Sequence, residues 1–252
     1  AISTSCCSGI ERSRTSADVV AGMHEAFVTA GSSHRGPVFV DIPMDELFNA
    51  GTGALPDVAA PRGAAPDTDA LAQVAELLGG AERPVLILGT DVWADRAEEA
   101  ALRFVEATGT PAITNGMGRG VVPGGHPLLV TKARSHALGN ADLVVVVGTP
   151  LDFRLGYGTF GGRDGATPAR VVHVADSPGQ VSAHADLAAS VSGDLTAVFD
   201  GLLVALEQVA RRPDRSGWVG DLQAAVAAAN ERDAALLGAE AGCASFLARD
   251  GS

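Results

Sequence analysis

The sequence predicts an α/β fold, a doubly wound parallel sheet, on two observations. Between about residues 69 and 210, short apolar runs bounded by turn residues alternate with stretches of helical periodicity. The apolar runs also carry Val and Leu at consecutive positions, which marks strands covered on both faces. Aromatics are only 4% of the 252 residues against 46% hydrophobic, so the core is built from Ala, Val and Leu.

The elements follow in order. Ser16 is placed to cap a helix in which Val19, Val20, Met23, Phe27 and Val28 recur at helical spacing, with Gly31 as its stop. Turn residues 32–36 lead into Pro37-Val-Phe-Val-Asp-Ile-Pro43, read as a buried strand. Residues 49–69, rich in Gly, Ala and Pro, read as a linker. The alternation then runs helix 71–78, strand 84–89, helix 94–108, strand 111–114, helix 133–140, strand 142–148, strand 170–175, a short strand at 189–191 and helix 195–209. After Ala210 comes a second linker, and residues 218–237 form an Ala-rich helix with no strand to follow. No internal repeat is visible.

Composition narrows the function. With 18 Lys plus Arg against 30 Asp plus Glu the net charge is −12, which argues against a nucleic-acid partner. Cys6 and Cys7 are adjacent and Cys243 is remote, so neither a disulfide framework nor a spaced four-ligand zinc site is expected. The longest strongly apolar run, Leu143 to Val147, is far short of the roughly 18 residues of a membrane helix. No basic stretch followed by an apolar core opens the chain. These features predict a soluble, cytoplasmic protein with no membrane partner.

Open α/β sheets bind ligands beyond the carboxyl ends of their strands, so the residues after each strand are the candidates. Gly89-Thr90-Asp91 has one glycine and an aspartate that would repel phosphate, so it is no dinucleotide fingerprint. Asn115-Gly116-Met117-Gly118-Arg119-Gly120 is either a glycine-rich turn or a backbone lying flat against a planar ligand. Gly148 is followed by Asp152 and Arg154, which either pair with each other or meet an anion. From Thr108 to Arg170 six positive residues (Arg119, Lys132, Arg134, Arg154, Arg163, Arg170) face three negative ones (Asp142, Asp152, Asp164). This +3 window suits an anionic small ligand over the strand ends, or equally a solvated face. Asp176 and Asp194 each follow a strand, where a carboxylate accepts ribose hydroxyls or caps the next helix. The six histidines lack the spacing of a helical zinc pair, and His173, inside an apolar strand, reads as a hydrogen-bonded core residue. No Gly-x-Ser-x-Gly occurs, and nucleophilic catalysis has no support.

Five strings in order, Gly36-Pro-Val-Phe-Val-Asp-Ile-Pro43, Arg83-Pro-Val-Leu-Ile-Leu-Gly89, Asn115-Gly-Met-Gly-Arg-Gly120, Ala141-Asp-Leu-Val-Val-Val-Val-Gly148 and Leu151-Asp-Phe-Arg-Leu-Gly-Tyr-Gly158, resemble the thiamine diphosphate-dependent enzyme superfamily. The likeness covers about residues 15–210 and is nearest to the acetolactate synthase catalytic subunit and its relatives, the 2-hydroxyacyl-CoA lyases and oxalyl-CoA decarboxylase. It implies that residues 1–48 are the C-terminal remnant of a pyrimidine-binding domain. Residues 49–68 are then a linker and residues 69–210 a Rossmann-like central domain. Residues 211–252 become a linker and helix leading toward a diphosphate-binding domain. The activating glutamate of the family would lie upstream of Ala1, and no Gly-Asp-Gly followed by paired asparagines is present. The parent family uses thiamine diphosphate and Mg2+ to decarboxylate a 2-oxo acid such as pyruvate or to cleave a 2-hydroxyacyl thioester. This chain, lacking those motifs, is expected to be an inactive portion of such an enzyme.

The resemblance also implies a structural FAD, or ADP or coenzyme A, in the central domain. Carried over by position, Asn115, Gly116 and Met117 touch the flavin, while Gly148, Asp152 and Arg154 reach the ribityl and phosphate part. Asp194 is the acidic position before the last helix. Arg134 lies where the synthases and acyl-CoA enzymes differ, and Asp176 is offset by one from the family's acidic position, held here by Ala175. A homo-oligomer, dimer or tetramer, is implied as well. The open alternatives are an autonomous nucleotide-binding or regulatory module and a domain that only packs against partner subunits.

Overall fold

A computed structural model of the chain describes residues 10–12, 16–48, 63–162, 165, 167–210 and 213–247. It forms two compact units, Ala1–Ala64 and Ala65–Ser252. In the smaller unit, β1 (Ile10–Arg12) pairs in parallel with β2 (Phe39–Asp41), with α1 (Ser16–Gly31) between them and α2 (Met44–Phe48) after them. The strand expected at residues 37–43 is therefore shorter, and it is not buried, since Phe39 is 58% exposed. The reason is that β2 has a single partner strand among the described residues, and two strands cannot cover each other's faces.

The larger unit is the doubly wound sheet. Its elements are α3 (Thr68–Gly80), β3 (Pro84–Leu88), α4 (Thr90–Ala94), α5 (Glu98–Thr108), β4 (Ala112–Thr114), α6 (Arg134–Asn140), β5 (Leu143–Val147), β6 (Arg170–Ala175), β7 (Ala189–Ser192), α7 (Leu195–Glu207) and α8 (Ser216–Leu247). The strands lie in the order β4-β3-β5-β6-β7, all parallel. Every residue of β3, β4 and β5 is buried, which is why these strands read as continuous apolar runs.

The strand period of two sorts their side chains into two cores. Leu86, Leu88, Val145 and Val147 pack with Phe104 of α5 and Phe199 of α7 on one face. Val85, Ile87, Val144 and Val146 pack with Ala137 of α6 and with Trp218 and Leu222 of α8 on the other. Trp218 Nε1 donates to Pro84 O at 3.0 Å, which satisfies the one polar atom of that buried ring.

The helix expected at 94–108 begins later, at Glu98, and a separate short helix, α4, precedes it. The chain turns at Asp95–Arg96, where Arg96 takes φ 57°, before α5 begins at Glu98. Among the described residues no helix is long and apolar enough to cross a membrane.

Candidate functional site at the carboxyl ends of the central strands

The chain runs from β3 outward to β4 at the sheet edge, then returns on the far side of β3 as β5. This reversal creates a switch point between the carboxyl ends of β3 and β5, where open α/β sheets place ligands. The two strand ends are knit together there. Gly89 N donates to Val147 O at 2.8 Å, Asp91 N to Gly148 O at 3.0 Å, and Asn115 N to Leu88 O at 2.8 Å. A Cβ on Gly89 would collide with Gly148 O and Thr149 Cβ; one on Gly148, at φ +63°, would meet Asp91 Cβ at 2.9 Å. The glycines serve close backbone approach between the two strand ends. Asp91 and the buried Asp176 bring carboxylate oxygens within 4.8 Å of each other, which favours hydroxyl donors there over phosphate.

The 115–120 segment leans on the same turn. Gly118 lies so close beneath β3 that a Cβ would sit 2.5 Å from Leu88 O. Met117 N reaches Thr90 Oγ1 at 3.4 Å, and the Met117 side chain is half exposed beside it. Asn115 is the residue before the short 3-10 turn Gly116–Gly118, and Gly116 takes φ +55°.

After β5 the chain builds an Asp–Arg fork. Asp152 Oδ1 accepts from Arg154 N at 2.9 Å, while Asp152 Oδ2 accepts from Arg154 Nε at 2.9 Å and Nη2 at 2.6 Å. The Arg154 side chain bonds hold the Asp152 carboxyl below its ordinary range, and Asp152 in turn raises Arg154. The guanidinium stands 5.6 Å from the ring centroid of the exposed Phe153. Its side chain is 61% exposed against 26% for Asp152, so the outward part of the fork faces solvent. Arg134, at the first turn of α6, donates Nη2 to Arg154 O at 2.7 Å.

The family model for the central domain of thiamine pyrophosphate enzymes matches residues 71–202. The chain belongs to that family. It is 42% identical over 218 residues to the acetolactate synthase large subunit of Mycobacterium tuberculosis, covering 84% of this chain and 38% of that protein. It is 36% identical over 160 residues to a 2-hydroxyacyl-CoA lyase of Oryza sativa, covering 58% of this chain and 28% of that one. Among solved structures, an enzyme isolated from Mycobacterium smegmatis and assigned as thiamin diphosphate-dependent superposes with a TM-score of 0.57 at 26% identity, over 83% of this chain and 40% of its own. The chain thus spans about two fifths of the length of the synthase subunit and of the Mycobacterium smegmatis enzyme.

In this thiamine pyrophosphate enzyme domain the expected site residues divide into groups. Asn115, Gly116, Met117, Gly148, Asp152 and Arg154 flank the β3/β5 switch point, and Asp176 lies one strand further at the end of β6. Asp176 does not cap the turn Pro178–Gln180; Ser177 holds that position, and its Oγ donates to Asp176 Oδ1 at 3.2 Å. Asp194, after the edge strand β7, accepts from Ala197 N at 3.0 Å and caps α7.

The residues of the +3 window fall at different places in the fold, with Asp142 before β5 at the amino end of the sheet. Arg170 opens β6 at the amino end of the sheet, Lys132 pairs with Asp233 of α8 at 2.6 Å, and Arg163 and Asp164 lie outside the described residues. A linear charge count pools both ends of a parallel sheet, which the fold separates.

His173 is 2% exposed and fully engaged, as expected of a core histidine. Its Nδ1 accepts from Ser182 N at 3.0 Å, so the proton sits on Nε2, 3.1 Å from Thr149 O. Burial is the largest cause that lowers its pKa from the ordinary 6.5. A group that is neutral when folded and takes a proton when unfolded contributes stability above about pH 6.5, and that contribution is lost as pH falls through the lower folded value. Thermal midpoints are expected to fall below about pH 6.5, and His173→Gln is expected to flatten that part of the profile. A wild-type curve with no change across pH 7 to 5 would contradict this. Sequence reasoning passed over two further residues here, Tyr157 and His184. Tyr157 sits between two glycines that give the only local hint of its left-handed φ of 52°.

Proposed function

We propose that the larger unit holds a nucleotide, ADP or FAD, in a structural role within a thiamine diphosphate-dependent enzyme of acetolactate synthase type acting on a 2-oxo acid such as pyruvate. The observation that carries the nucleotide is the state of Arg154. A guanidinium has five N–H donors, and Asp152 takes one from Nε and one from Nη2, which leaves three on a side chain that is 61% exposed. Those three suit phosphate oxygens, and the exposed Phe153 ring, 5.6 Å from the guanidinium, suits a planar base. The acidic Asp91 and Asp176 at the switch point suit the hydroxyls of the sugar or ribityl chain between base and phosphate. The donor set therefore fits a nucleotide.

It does not fit thiamine diphosphate and its magnesium, because the sequence has no Gly-Asp-Gly followed by paired asparagines. No step of thiamine chemistry is assigned to these residues. A 2-hydroxyacyl-CoA lyase type of activity is the second reading, favoured by the 36% identity to the rice lyase.

The test is to denature the purified chain and identify any released nucleotide, then titrate ADP into the stripped protein. Arg154→Ala is expected to weaken ADP by roughly 1.5–3 kcal/mol, the value of a charge-assisted contact. Unchanged affinity would leave Arg154 as nothing more than the partner of Asp152.

A further inference from the structure

Three carbonyls of the segment that carries the Asp152–Arg154 fork are each held by a side-chain donor from a different part of the fold. His173 Nε2, on β6, lies 3.1 Å from Thr149 O. His184 Nε2, between β6 and β7, lies 2.9 Å from Leu151 O. Arg134 Nη2, on α6, lies 2.7 Å from Arg154 O. The two histidines are linked through Ser182, whose N–H donates to His173 Nδ1 and whose Oγ lies 3.2 Å from His184 Nδ1. Inside the segment Leu155 N and Tyr157 N both converge on Asp152 O, at 3.0 and 2.9 Å. Tyr157 keeps a left-handed backbone that a non-glycine residue rarely adopts, and its ring meets His184 edge-on at 6.0 Å between centroids.

The carbonyls of the buried Thr149 and Leu151 need a partner inside the fold, and the two histidines supply it. The donors also add position: His173 is on β6 and Arg134 on α6, while His184, in the loop before β7, is tied to His173 through Ser182. A loop already ordered spares its ligand the entropy of ordering it, about 1–2 kcal/mol for each backbone residue fixed.

We propose that His173, His184 and Arg134 are positioning residues that preset the Asp152–Arg154 fork for its nucleotide. This rests on the nucleotide reading above. It gives Arg134 the role of a strut behind the ligand rather than a ligand contact, and it gives His184 a role in the site.

His184 is exposed, so its replacement leaves the core intact. His184→Ala and His184→Gln are compared with the unaltered chain by amide hydrogen exchange of residues 151–157 without ligand, by ADP titration and by thermal midpoint. For His184→Ala, exchange is expected to quicken about tenfold and ADP affinity to fall about fivefold, the scale of one lost hydrogen bond, with the midpoint lowered by no more than about 4 °C. His184→Gln, which keeps an N–H donor, is expected to restore both. Unchanged exchange in His184→Ala, or weakened ADP binding without faster exchange, would overturn the proposal. Failure of the unaltered chain to bind ADP would instead overturn the nucleotide reading, and the exchange of the ligand-free loop would still decide whether the histidine holds it.

Discussion

Phe104→Ala is expected to destabilise the larger unit by about 3–5 kcal/mol, the range for emptying a fully buried aromatic site. Phe104 on α5 and Phe199 on α7 are at most 1% exposed, with ring centroids 5.4 Å apart at 49°. They stand in a core otherwise made of Ala, Val and Leu, including Ala100, Ala101 and Val105 on α5 and Val198 and Leu202 on α7. Small side chains on two helices already seated on a sheet have little reach with which to fill a ring-sized gap. The pair also has a preferred tilted geometry, worth about 0.5–1.5 kcal/mol beyond its area, which the substitution removes. Urea or thermal unfolding of the larger unit should register a midpoint drop of about 6–20 °C, given about 2–4 °C per kcal/mol for a unit of this size. Phe104→Leu, which keeps most of the volume, should cost less than half as much. A near-neutral Phe104→Ala would mean that α5 and α7 close the gap, and that the core tolerates far more motion than its packing implies.

The strands of this sheet were legible because burial on both faces leaves a pattern that needs no partner to be recognised. Arg170–Ala175 matches its expected bounds, and the runs ending at Leu88 and Val147 differ by one or two residues. Their order was not legible, because nothing in the residues of β4 says that it pairs with β3 on the side away from β5. The turn at Arg96 was equally silent, lacking the glycine or proline that usually marks a break. At the site, the rule that ligands lie past strand ends directed attention to Gly148, Asp152 and Arg154 on residue type alone. The tethers behind them were invisible for a physical reason. His173, His184 and Arg134 act on backbone carbonyls, which every residue supplies, so no spacing motif betrays them. Asp194 showed the opposite case, a residue whose two readings were both visible and whose bond to Ala197 N accounts for its carboxylate as a cap.

Gly89→Ala is expected to cost at least the roughly 3 kcal/mol at the upper end of overpacking effects, although alanine is ordinarily the mildest of substitutions. Gly89 has φ −105°, which alanine adopts freely, so the whole effect is steric. The added Cβ would meet Gly148 O and Thr149 Cβ, neither of which can rotate away as the tip of a long side chain would. Relief requires the ends of β3 and β5 to part, straining the bonds from Gly89 N to Val147 O and from Asp91 N to Gly148 O. It also pushes on Thr149, whose carbonyl is the first of the three held behind the fork. A stability loss and a weakened ADP site are therefore expected together from one methyl group that touches no ligand. Gly220→Ala supplies the contrast, since that glycine lies inside α8 with nothing within 4 Å of a Cβ. There alanine should stabilise by up to about 1 kcal/mol through helix propensity. Equal effects at the two positions would mean that β3 and β5 separate easily at their carboxyl ends, and that the switch point is a far looser crevice than the interlocked glycines make it.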